Sequence, residues 1–258
     1  MSYIVVFHGI EHKVGCTMIS QSVAELIAKE KKEITVLFAA LNGRKSTEYM
    51  KEDVVTIDDY KVQLKSGIGI DENVLASNRK IDNLCFIAGI DKEEEARYFL
   101  PEMVDVLVDS LYTKFDLLIL DAGSNIDNGL AFGALTMKSL KYLIIEQSES
   151  SIKRYEKMKE IYGKLSIDFD KYILNKHIES DPLTVKYITS RLAIDSTCFM
   201  TVDYSESGRM SEIEYKTLLD VANDKYKNDI LNIANDIMKN MELEVIRLKR
   251  KRTWNSFM

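Results

Sequence analysis

A chain of 258 residues with 46% hydrophobic content can bury one full core, and with only two prolines and no Gly/Ser-rich linker it is expected to form a single domain. Three widely spaced cysteines without a CxxC pair argue against a disulfide framework or zinc site and fit a reducing cytosol; the strand-like run entered at Tyr3 leaves no room for a signal peptide, and no apolar run reaches the roughly eighteen residues of a spanning helix. The net charge is −6 although five cations crowd between residues 247 and 252, so the body is more acidic still and a poor surface for broad nucleic-acid binding.

In chain order, a β-branched and aromatic run at residues 3–7 predicts the first strand and the pattern at 17–31 the first helix. Short apolar runs at 34–39, 84–88, 115–120, 142–145, 172–174 and 198–202 predict further buried strands, with helical periodicity at 93–113, 129–138, 152–165 and 184–192 between them. This alternation predicts an α/β fold, a doubly wound, mostly parallel sheet of about seven strands flanked by helices. Ligands of such sheets sit beyond the carboxyl ends of the strands, where the loops after Phe7, Ala39, Leu120 and Leu174 would meet. A last helix is expected from about Lys225, with Ile230, Ala234, Ile237, Met241, Val245 and Leu248 as its apolar stripe. The domain is placed at residues 1–245 and a basic, aromatic tail at 246–258.

Between the first strand and helix stands Phe7-His8-Gly9-Ile10-Glu11-His12-Lys13-Val14-Gly15-Cys16-Thr17. A phosphate loop in that place aims backbone N–H groups and a helix N-terminus at the anion, with a Lys on the β/γ-phosphates and a Ser/Thr hydroxyl on Mg²⁺. Later, Phe115-Asp116-Leu117-Leu118-Ile119-Leu120-Asp121-Ala122-Gly123 sets a carboxylate at a strand end, Leu174-Asn175-Lys176 sets an amide at another, and Thr201-Val202-Asp203-Tyr204 with Ser207-Gly208 follows the last strand. In order and spacing these segments resemble the MinD/ParA family of deviant Walker P-loop ATPases over nearly the whole chain. The strand at 83–89 and the long helix after it resemble the family's TadZ/CpaE pilus-locus branch. The resemblance implies a P-loop NTPase-like fold and a site for ATP with Mg²⁺, bound weakly or not at all. The nucleotide would meet Lys13, Val14, Gly15, Cys16, Thr17, Met18, Asp121 and Asn175, and the metal, if nucleotide binds, Thr17 and Asp121.

The departures fall on catalytic charges. Against the family's Lys-Gly-Gly-x-Gly-Lys-Thr, residues 11–17 keep only Gly15 and Thr17: the signature lysine falls on Glu11, the loop lysine on Cys16, and the strand-two Asp-x-Asp pair on Ala40 and Asn42. Phosphoryl transfer rests on positioning and electrostatic stabilisation, so losing a cation that contributes several kcal/mol, with Glu11 added nearby, slows hydrolysis by orders of magnitude. The expectation is a pseudo-ATPase without catalytic residues. Two alternatives stay open: an active Mg-ATPase in which Lys13 or His12 reaches the phosphates and Asn42 positions water, and a ParA-like DNA-partitioning protein. Cys16 reads as a passive small residue or a redox-sensitive thiol, Thr17 as a Mg²⁺ ligand or the N-cap of the first helix. Asp121 needs a partner, with Mg²⁺, Thr17 and Lys13 as candidates. Asn125, Asp127 and Asn128 read as an ordinary turn or a switch-type loop, and His177 as a surface residue.

In the tail, Arg247, Lys249, Arg250, Lys251 and Arg252 precede Trp254 and Phe257, a composition that sets cations on anionic headgroups and rings at the acyl boundary. The resemblance puts a MinD-type membrane-targeting segment in this place. At about 1 kcal/mol per cation the contact is weak and reversible, and firmer in a homodimer. The expected function is a non-hydrolysing, membrane-proximal spatial organiser or scaffold of a bacterial localisation, pilus or secretion assembly, cytoplasmic and peripheral at the inner face of the membrane. Protein partners are expected and nucleic acid is not; a docking peptide is the alternative use of the tail.

Overall fold

The computed structural model describes residues 2–46, 49, 55–71 and 79–248. Its strands are β1 (Tyr3–Gly9), β2 (Val36–Ala40), β3 (Arg79–Ile81), β4 (Leu84–Ile87), β5 (Leu117–Asp121), β6 (Leu140–Glu146), β7 (Lys171–His177) and β8 (Phe199–Asp203). They form one sheet in the order β3-β4-β2-β5-β1-β6-β7-β8, parallel throughout except for the antiparallel β3–β4 pair. Every residue of β2 and β5 is buried, as continuous apolar runs require when helices cover both faces of a sheet. The crossover from β1 leads towards β2 and that from β5 leads to the other side of β1, so the loop after β1 lies where the strand order reverses. Register sets Asp121 level with Phe7 of β1 and Ala40 of β2, at the carboxyl edge beside that loop.

The helices are α1 (Cys16–Glu30), α2 (Lys61–Lys65), α3 (Glu102–Leu111), α4 (Gly129–Thr136), α5 (Glu149–Lys164), α6 (Val185–Leu192), α7 (Gly208–Glu214), α8 (Leu218–Val221) and α9 (Asp224–Asn240). Helix α1 is buried along most of its length, including Glu25, whose carboxylate takes Lys80 at 2.7 Å, Gln21 at 3.1 Å and Thr217 at 3.0 Å. A buried charge held by a cation and two further donors ties the β3 edge and the segment before α8 to the central helix.

Three sequence expectations change. The single helix over 93–113 is a short 3-10 segment (Glu93–Tyr98) and then α3, because Pro101 has no N–H to continue a helix and bars the helical conformation at Leu100. The last helix starts as expected but ends at Asn240, so Met241, Val245 and Leu248 do not continue its stripe. Glu242 takes φ 58°, Glu242 N–H donates to Lys239 and Leu243 N–H to Met238, which closes the helix with a Schellman turn. Beyond it the chain runs non-helically to Leu248, and Asn235 grips Ile246 by both backbone groups, at 2.6 and 3.2 Å, burying its side chain. The third is β3, an eighth strand at the sheet edge. Lys249, Arg250, Lys251, Arg252, Trp254 and Phe257 lie outside the described residues; Arg247 is exposed. Among the described residues no helix is long and apolar enough to cross a membrane.

Candidate functional site: the loop between β1 and α1

The loop is held closely at both ends, where a Cβ would crowd neighbouring side chains. Gly9 N–H donates to the Gly123 carbonyl at 2.7 Å, and a Cβ on Gly9 would stand 2.6 Å from Val14. Gly15 has φ 91°, and a Cβ there would stand 2.3 Å from the Asn175 amide nitrogen, which donates to the Val14 carbonyl at 2.6 Å. Strand β7 thus clamps the loop from the side, while Lys13, itself at φ 64°, turns it. Among the described residues the backbone N–H groups of residues 13–18 make no hydrogen bond, so a row of free donors coincides with the positive end of α1.

Beneath the loop, four donors converge on the fully buried Asp121. Thr17 Oγ1 donates to Oδ2 at 2.6 Å and Asn42 Nδ2 at 3.4 Å; Cys16 Sγ donates to Oδ1 at 3.1 Å and Gly123 N–H at 3.0 Å. Of the two side chains expected as partners for Asp121, the structure selects Thr17 over Lys13 and adds Cys16. The N-cap of α1 is Gly15, so Thr17 is a first-turn residue held by Asp121 and the capping reading fails. Burial first, then the Asp121 charge and the bond to it, push the Cys16 thiol well above the usual thiol range, against smaller pulls from the Gly123 backbone and the Arg44 charge. Cys16 is therefore a protonated donor and not a redox-poised thiolate.

A cleft of about 370 Å³ opens over the loop, lined among others by Glu11, Lys13, Arg44, Ser124 and Glu212. A second of about 520 Å³ adjoins it, sharing Gly15, Met18 and Glu212 and reaching Asn175, Lys176, Asp203, Tyr204 and Arg209. Together they match the size of small-molecule sites. Met18 is buried between them, its sulfur accepting Leu218 N–H at 3.1 Å. His12 bonds Ser124 at 3.1 Å. Asn42 is engaged with Ser46 at 2.7 Å as well as with Asp121. Asn128 caps α4 and donates to Leu41, consistent with the turn read there. His177 is not a surface residue: it is largely buried and pairs with Asp203 at 3.1 Å. Arg44, two residues past Asn42, escaped the sequence reading; the signal was a cation on one of the loops expected to meet at the carboxyl edge.

The residues present fit a nucleotide's phosphates and a magnesium ion. The loop offers free N–H groups in a cradle that a Cβ at Gly15 would fill. Thr17 and Asp121 give a hydroxyl and a carboxylate, the sparse oxygen set with which proteins hold Mg²⁺ alongside ligand phosphates. At the positions that the resemblance sets against the family's charged residues stand Cys16, Ala40 and Asn42, none of which carries a charge.

No protein-family model and no curated protein matches the sequence. Solved structures do match its fold. A ParA family ATPase from Chlorobium tepidum is similar at TM-score 0.76 and 17% identity, with 90% of this chain and 97% of that one covered. Pyrococcus horikoshii MinD, the septum site-determining protein complexed with Mg-ADP, is similar at 0.69 and 14%, covering 93% and 97%. MinD of the MinC:MinD cell division complex from Aquifex aeolicus is similar at 0.70 and 15%, covering 96% and 99%. With an eight-stranded, mostly parallel sheet and Asp121 beneath a loop between β1 and α1, this chain has the MinD/ParA fold.

Proposed function

We propose that this protein is a non-hydrolysing relative of the MinD/ParA ATPases, which holds a nucleotide weakly and serves as a membrane-proximal spatial organiser or scaffold for a bacterial localisation, pilus or secretion assembly of the kind the TadZ/CpaE resemblance implies. One observation carries the reading: where the loop lysine is expected, Cys16 turns a neutral thiol onto Asp121. The phosphates lie against the free N–H groups of residues 13–18, Thr17 and Asp121 hold Mg²⁺, and the adjoining cleft takes the rest of the nucleotide. Bound nucleotide then acts as a conformational ligand and is not consumed.

Purified protein is expected to turn over MgATP at background, unchanged by Asp121→Ala. Steady magnesium-dependent hydrolysis that this substitution abolishes would instead establish the second reading, an ATPase with a rearranged loop. That reading draws support from Lys13 and Arg44, which line the cleft without an ion pair among the described residues.

The tail makes the membrane part of the proposal separately testable. Five cations at about 1 kcal/mol each predict flotation with vesicles rich in anionic lipid, at least tenfold reduced on neutral vesicles or on deletion of residues 247–258. Equal flotation of the truncated protein sinks the membrane role. Salt-sensitive binding to nonspecific duplex DNA that survives the deletion favours the partitioning reading.

A further inference from the structure

The phosphate cleft has lost its lysine but not every cation. The loop after β2 leaves the sheet beside Asp121 and delivers Arg44 to the rim of the same 370 Å³ cleft that the free N–H groups of the β1–α1 loop line. Its backbone is held on both sides: Arg44 N–H donates to Asn42 Oδ1 at 3.1 Å, and its carbonyl accepts Ile90 N–H at 3.2 Å. Asn42 in turn bonds Ser46 and Asp121, and the neighbouring Lys45 pairs with Asp91 at 2.9 Å. The side chain is exposed and makes no ion pair among the described residues. Its charge is felt at the thiol that replaces the loop lysine, where it opposes the effect of burial.

The geometry points to Arg44 as the phosphate-neutralising cation of this site, reaching from the strand-two side to the nucleoside di- or triphosphate whose phosphates the loop cradles. This rests on the reading of the cleft as a nucleotide site. Three considerations favour Arg44 over Lys13, the other cation of the cleft. A guanidinium offers a planar fork of donors that matches two phosphate oxygens at once, whereas an ammonium is a point charge. The Arg44 backbone is already tied down, so less ordering opposes its use, while Lys13 sits at the exposed tip of the loop. Arg44 also comes from the opposite wall, so loop donors and guanidinium take different oxygens. Glu11 and Glu212 line the cleft as well and oppose an anion, which keeps the expected affinity low.

The deciding measurement is calorimetric titration of the full chain, wild type, Arg44→Ala, Arg44→Lys and Lys13→Ala, with MgATP and with sodium tripolyphosphate at two salt concentrations. Arg44→Ala is expected to weaken both probes at least tenfold and to flatten the salt dependence, Arg44→Lys to recover part of the loss, and Lys13→Ala to change affinity less than threefold. Wild-type binding that Arg44→Ala leaves within twofold, or that Lys13→Ala abolishes in its place, overturns the assignment and leaves the nucleotide reading standing. No heat from the wild type up to millimolar MgATP overturns both. Arg44 is exposed, so its substitution leaves the fold intact, and a thermal melt superimposable on the wild type confirms that each variant is native.

Discussion

Gly89→Ala is expected to lower the unfolding free energy by about 3 kcal/mol and, with it, the affinity of the cleft for the nucleotide proposed above. Two costs add. Gly89 has φ 90°, a left-handed conformation that an L-residue with a Cβ enters only under strain. Its Cβ would also stand 2.2 Å from the Arg44 carbonyl and 3.1 Å from that of Ala40, both backbone atoms that cannot swing aside as a side-chain tip can. The same crossing is bound by Ile90 N–H to Arg44, Ser46 N–H to Ala88 and Ile57 N–H to Gly89, so relief by backbone movement breaks hydrogen bonds and displaces Arg44. Gly163→Ala is the matched control. That glycine lies in α5 with nothing within 4 Å of its Cβ and should gain about 0.5 to 1 kcal/mol in urea unfolding. If the two variants unfold at similar urea midpoints, Gly89 is not the tight crossing described.

The parts of the fold that were legible in sequence are those where burial dictates composition. Strands β2 and β5 are covered on both faces and read as apolar runs, Val36–Ala40 and Leu117–Leu120, the second ending at Asp121. Strand β3 was not legible, because three half-exposed residues at an edge need neither alternation nor apolarity. The short helices α7 and α8 are too brief to show a period, and the Schellman turn after α9 is made by Glu242, a residue without the glycine signal that usually marks such a turn.

The candidate site divides in the same way. Gly15, Thr17 and Asp121 were visible from their order along the chain, and the structure brings them together. The partner of Asp121 was not decidable from sequence, since Thr17 and Lys13 were both within chain reach and only the direction of the first turn of α1 separates them. Cys16 looked passive because a thiol carries no charge, yet position makes it a donor to the central carboxylate. Arg44 was invisible for a different reason. Its place depends on the crossing at Gly89 and on the side chain of Asn42, long-range contacts with no local signature.

Acidification is expected to remove about 3 kcal/mol of stability through His8 alone. His8 is the next-to-last residue of β1, fully buried, with Nε2 3.1 Å from the Tyr162 hydroxyl, its ring stacked on Phe169, and Nδ1 without a hydrogen bond among the described residues. Burial pushes its pKa down from 6.5 to about 4, the nearby backbone of Ala122 and Gly123 opposing the shift only in part. Between those values the unfolded chain binds a proton at His8 that the native protein refuses, so the contribution is complete above pH 6.5 and is lost as pH falls towards 4. Carboxylates titrate at the lower end of the same window, so the His8 part has to be read as a difference. His8→Phe preserves the stack and abolishes the titration. It should lie within about 1 kcal/mol of wild type at pH 7.5, where a lost bond to Tyr162 offsets relief of the unpaired nitrogen, and exceed wild type by about 2 kcal/mol or more at pH 4.5. Parallel stability curves for the two proteins would show that His8 takes up its proton in the native state. Gly9 follows His8 directly and is bonded to Gly123 above Asp121, so a charge forced into this place loosens the strand end that carries the loop between β1 and α1. The pH dependence of nucleotide affinity in wild type should therefore steepen below pH 6, and His8→Phe should flatten it.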